Sequence, residues 1–123
     1  KYDVILFFGV LYHLENVFDC LKTLAGSLAE NGIIYIETQM SQSDSELPMF
    51  EYASDIYPTI AKQDKSLLDK TGLSNYLFPN YAAMLNLAYS YDFECECLNG
   101  PGNIYSLENP TRQIYMIKSK IEK

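Results

Sequence analysis

In "VILFFGVLYHLEN" apolar residues run unbroken from Val4 to Phe8 and stop at Gly9. A strand without polar alternation calls for cover on both faces, the habit of an interior strand in a parallel sheet, and the pattern predicts a strand over Tyr2–Phe8. Asn16 reads as an N-cap, its side-chain oxygen suited to the free amides of a following helix. Past it, Val17, Leu21, Leu24 and Leu28 recur at helical spacing, with Phe18 and Ala25 beside them. Asn31-Gly32 predicts the end of that helix in a left-handed residue. "IIYIET", Ile33 to Thr38, is a second buried strand. Strand, helix and strand joined this tightly form a βαβ unit with a right-handed crossover.

The pattern weakens from about residue 39 to 75, which reads as an insertion or lid. "SQSDSELP" is loop by composition, while "MFEYASDIY" and "AKQDKSLLDKTG" each hold helical spacing for a turn or two. In "PNYAAMLNLAYSYDF", Asn80 is placed to cap a helix whose Ala82, Leu85, Ala88 and Tyr89 face inward. "FECECL" alternates strictly, Phe93, Cys95 and Cys97 against Glu94 and Glu96, and predicts a half-exposed strand over Phe93–Leu98. "NGPGN" turns the chain into a last strand, Gln113–Lys118. Two strands joined without a helix pair antiparallel. The fold class is therefore α/β, with parallel strands, one antiparallel strand near the C-terminus and helices on the faces.

Composition narrows the function classes. The sequence of 123 residues is one domain or part of one, and its formal charge of -7 argues against a nucleic-acid surface, which needs clustered Lys and Arg. No run has the length of a membrane span, and no basic, apolar and small-residue succession marks a secretory signal. Three cysteines without metal-ligand spacing fit free thiols in a reducing, cytoplasmic setting.

The order of elements, and above all "YDVILFFGVLYHLENVFDCLKTLAGSLAENGIIYIET", resembles the C-terminal half of a class I S-adenosylmethionine-dependent methyltransferase, from its fourth strand through the following helix to its fifth strand. "NYLFPNYAAMLNLAYSYDFECE" is similar to a later helix and strand of the subgroup that includes tRNA wobble-uridine-modifying and sugar methyltransferases. The resemblance implies a partial Rossmann-like sheet spanning residues 1–123, with the last strand between the second and third. It also implies S-adenosylmethionine as cofactor and a small molecule or tRNA as acceptor. The family's glycine-rich turn and ribose-binding carboxylate have no counterpart in the 123 residues, so weak or absent cofactor binding by this chain alone is expected.

Gly9 closes its strand at the carboxyl end, where open α/β sheets bind ligands. By resemblance Phe8, Gly9 and Val10 border the cofactor's methionine and sulfonium; read alone, Gly9 also suits a tight turn. His13, the only histidine, and Tyr12 follow directly. An imidazole there suits proton abstraction from an acceptor, or serves as a structural hydrogen-bonding group. Glu37 ends the second strand on the same edge, placed to orient substrate, to pair with His13 or to stay solvated. With no second histidine, a metal site is not expected. The unblocked apolar strand Tyr2–Phe8 is expected to associate, either in a homodimer or with a partner chain that supplies missing strands. The alternative to an enzyme is thus a non-catalytic module acting through strand-edge association.

Overall fold

The structure, a computed structural model, describes residues 1–14, 16–41, 43, 45–52, 77–99 and 112–119. The first strand, β1, spans Tyr2–Phe8, and a short 3-10 turn follows at Leu11–His13. Helix α1 spans Val17–Gly26. The Oδ1 of Asn16 accepts from the Asp19 amide at 3.0 Å, the capping bond that its position suggested.

The long strand β2, Leu28–Gln39, pairs parallel with β1. Here one expectation fails. The helix ends at Gly26, not at Asn31-Gly32, and Leu28 already pairs with Tyr2. Between the pairs Tyr2–Leu28 and Val4–Ile33, one residue of β1, Asp3, then faces four of β2, Ala29 to Gly32, so the surplus bulges out. Asn31 takes the left-handed conformation at φ 61°. A Cβ on Gly32 would lie 2.6 Å from Leu28 Cδ1, so only glycine lets Leu28 fold back over the bulge. The left-handed turn is real, but it belongs to a strand.

A two-stranded antiparallel ribbon follows, β3 at Phe50–Tyr52 and β4 at Leu77–Pro79. Phe50–Tyr52 was expected in a helical turn; instead these residues pair in register with Leu77–Pro79, a setting that favours aromatic side chains. The remaining helical spacing proposed for 53–75 and the turn at 100–103 lie outside the described residues. Helix α2 spans Tyr81–Tyr89, capped by Asn80, and presents Ala83, Met84, Leu87 and Ala88 to the core. Of the face expected, Ala82, Leu85, Ala88 and Tyr89, only Ala88 is buried, and Tyr89 is 51% exposed. The helix is apolar nearly all round, so periodicity could not select a face.

Strand β5, Phe93–Cys97, and strand β6, Arg112–Ser119, complete a mixed sheet of order β1-β2-β6-β5. β6 runs antiparallel to both neighbours, so β5 is aligned with β1 and β2, and the last strand lies between the second and third as expected. The protein is α/β. Helices α1 and α2 pack on one face of the sheet, over Ile34, Ile36, Tyr115 and Ile117, with Ile5 and Phe7 at the margin. On the other face Tyr2, Val4, Leu6 and Phe8 are exposed, by 48% at Phe8 and 64% at Leu6. Among the described residues β1 is an edge strand. None of the described helices is long and apolar enough to cross a membrane.

Candidate functional site

β1 and β2 run the same way, so their carboxyl ends lie side by side. Phe8 sits opposite Glu37, and the Gly9 amide donates to the Glu37 carbonyl at 3.0 Å. Gly9 then turns out of the sheet at φ 70°, a conformation that disfavours any side chain. A Cβ there would stand 3.8 Å from the Tyr12 hydroxyl and 4.0 Å from Glu37 Oε1. The Gly9 backbone therefore lies within contact distance of both groups.

The turn Leu11–His13 buries Leu11 and Tyr12 and leaves His13 exposed. The Tyr12 ring stands edge-on to Phe78 of β4, with centroids 5.7 Å apart, and the His13 ring lies against it at 4.5 Å. The ribbon thus forms a wall behind Tyr12. Beside it, Asn16, Val17, Phe18, Phe50 and Leu77 line an apolar groove of about 220 Å³.

Arg112 opens β6 and is the only arginine of the chain. Its Nη1 donates to Glu37 Oε1 at 2.8 Å and its Nη2 to the Tyr12 hydroxyl at 3.3 Å. Its Cζ lies 5.6 Å from the centre of the Tyr12 ring, within cation–π reach. The Tyr12 hydroxyl first, and Glu37 after it, strengthen the positive charge of the guanidinium. Half of the Arg112 side chain is open to solvent, and among the described residues the rest of its donor fork is unengaged.

Of the residues singled out from the sequence, Gly9, Tyr12 and Glu37 come together, Phe8 and Val10 form an exposed apolar rim, and His13 stacks on the outer side of Tyr12. The ion pair that Glu37 makes is with Arg112. Sequence reasoning missed Arg112, although its uniqueness at the start of a core strand was a signal. It missed Gln39 as well, which lies directly opposite Arg112 in the β2–β6 register.

The sulfur groups lie elsewhere and are quiet. Burial, and then the neighbouring Cys97, push the Cys95 thiol up to about 12, and burial raises Cys97 too. Both stay protonated near neutrality, which removes the nucleophilic form.

No family model matches the chain. Over 46 residues it is 44% identical to a tRNA U34 carboxymethyltransferase of Campylobacter fetus subsp. fetus, a stretch covering 37% of this chain and 16% of that protein. Over 49 residues it is 33% identical to a tRNA U34 carboxymethyltransferase of Campylobacter jejuni subsp. doylei, covering 40% of this chain and 17% of the relative. A protein of the same name from Campylobacter jejuni strain RM1221 matches over the same shares. The matched stretch is thus less than a fifth of the length of these curated relatives.

Proposed function

We propose that this chain forms the substrate-facing part of an S-adenosylmethionine-dependent group-transfer enzyme. The observation that carries the reading is the cluster of Arg112, Tyr12 and Glu37 beside Gly9, at the carboxyl ends of two parallel strands. Open α/β sheets hold their ligands there. Similarity over part of the chain to tRNA U34 carboxymethyltransferases supports the same class.

The residues present fit the transferred end of such a cofactor. Phe8 and Val10 offer apolar surface, and Gly9, without a Cβ, allows close approach to backbone. The cofactor supplies an electrophilic carbon on a sulfonium. A carboxymethyl group, named for the relatives, carries a carboxylate, and an arginine fork beside a phenol hydroxyl is the chemistry that holds one. Glu37 fixes the fork from one side and Tyr12 from the other. Displacement at a sulfonium carbon needs alignment above all, so the work of these groups is positioning. His13, exposed on the outer side of Tyr12, takes the acceptor's proton. The acceptor is a small molecule or a tRNA base; the charge of -7 leaves the binding of RNA backbone to other surfaces.

Titration of the isotope-labelled chain with S-adenosylmethionine tests this reading. Saturable shifts confined to Phe8, Gly9 and Val10 are expected, with Kd on the order of 1 mM, equivalent to about 4 kcal/mol, and the analogue with a carboxymethyl group on the sulfonium is expected to shift Arg112 as well. Absence of shifts at these residues, or shifts only at the opposite end of the sheet, overturns it.

A second reading rests on β1. The exposed row Tyr2, Val4, Leu6 and Phe8, on an edge strand with no proline, favours pairing with another strand, in the first instance that of a second copy. In that case the chain works by association. Sedimentation is then expected to give species larger than one chain, and a monodisperse monomer at high concentration excludes it.

A further inference from the structure

The buried polar residues Asn80, Ser41 and Gln113 all have partners. Gln39 is different. Its Oε1 is shut off from solvent and, among the described residues, no donor reaches it. Exchanging the amide oxygen and nitrogen does not help, because an unpaired NH2 then occupies the same dry position. Buried groups left unsatisfied are few in native proteins and concentrate where function overrides local stability.

The position of Gln39 gives this defect a meaning. It is the last residue of β2, two residues beyond Glu37 on the same face, and its register partner is Arg112. Directly opposed side chains stand about 5 Å apart at Cβ, so an amide turned outward about its own side-chain bonds reaches whatever the Arg112 fork holds. We propose that Gln39 is a ligand-binding residue. Its amide leaves the unsatisfied site and accepts a hydrogen bond from a hydroxyl or amino group on the carbon next to the ligand's carboxylate. The ligand class is then an α-hydroxy or α-amino carboxylate, a ligand other than the carboxymethyl group, whose carbon next to the carboxylate carries the sulfonium and no such donor. This inference rests on the reading of Arg112 as the carboxylate fork.

The experiment titrates the isotope-labelled 123-residue chain with acetate and with glycolate, which differ in one hydroxyl, and follows Gly9 and the Arg112 side chain. The unaltered chain is expected to bind glycolate up to about tenfold more tightly than acetate, the value of one added neutral hydrogen bond. Gln39→Leu is expected to erase that preference, keep acetate affinity, and raise the melting temperature by removing an orphaned polar group. Arg112→Ala is expected to lose both ligands. Equal binding of the two by the unaltered chain, or a preference that survives Gln39→Leu, overturns the role of Gln39 alone. If neither carboxylate shifts Gly9 or Arg112, the fork itself is overturned and Gln39 with it.

Discussion

Asn80→Ala lowers the stability of the chain by about 3 kcal/mol, a large part of the 5–15 kcal/mol that ordinary domains possess. The Asn80 side chain is 1% exposed and fully used. Its Oδ1 accepts from the Ala83 amide at 2.9 Å, capping α2, and from the Met49 amide at 3.1 Å. Its Nδ2 donates to the carbonyls of Leu47 at 2.8 Å and Ser45 at 3.2 Å. Loss of the cap costs about 1 kcal/mol, and each buried group left without a partner a further 1–3 kcal/mol. Leu47 lies in the exposed stretch 46–49, so its carbonyl recovers water, which holds the sum to the lower figure. Urea unfolding measures this as a shifted midpoint with an unchanged slope. Asn80→Asp keeps the two acceptor bonds, loses both donors and falls between. A loss below about 1 kcal/mol for alanine means that only the cap matters. Because Phe78 of the adjoining strand backs Tyr12, loosening the ribbon also loosens the site.

Arg112→Ala has the opposite profile, with little effect on stability and a large one on binding. The Arg112–Glu37 pair is 48% and 28% exposed at its two side chains, and exposed pairs contribute roughly 0–1 kcal/mol. Hydrogen bonds from a guanidinium to a bound carboxylate are worth about 1.5–3 kcal/mol each. Alanine is therefore expected to weaken acetate binding about 100-fold while the melting temperature moves by a few degrees at most. Lysine keeps the charge but lacks the planar fork, so Arg112→Lys falls between the two. Unchanged acetate affinity with a melting temperature lowered by ten degrees or more marks Arg112 as a structural residue.

The strands were legible from their patterns, although the run Val4–Phe8, which calls for cover on both faces, forms an edge strand among the described residues with one face exposed. Val4–Phe8 and Ile33–Ile36 are continuous apolar runs, and Phe93–Cys97 alternates with period two. The strand that separates the second from the third followed from resemblance and is present as β6. Where a signal serves two structures, the sequence misled. Asn31-Gly32 suits a helix end and a strand bulge equally, and the pairing of Leu28 with Tyr2 decides for the bulge. In α2 apolar residues surround the axis, so burial follows from the cap and the sheet beneath, and no period records it. The site was half legible. Gly9, Tyr12 and Glu37 sit at strand ends, which local reading finds. The Arg112–Glu37 contact spans 75 residues and leaves no periodic trace, and the orphaned oxygen of Gln39 exists only once the chain is folded.

The place of β6 governs the order of events as the polypeptide is made. Residues Arg112–Ser119 bridge β2 and β5, and every hydrogen bond between those halves of the sheet passes through them. A ribosome that has released the chain as far as Asn99 has released β1, α1, β2, α2 and β5, yet the centre of the sheet is still missing. Contacts so distant along the chain close slowly, because the loop entropy is spent before the pairing is gained. The nascent chain therefore holds the β1–β2 pair and the single strand β5 unjoined until Arg112–Ser119 emerge. Folding is a late, nearly single event, and a stop codon shortly before Arg112 leaves not a smaller domain but two fragments of one.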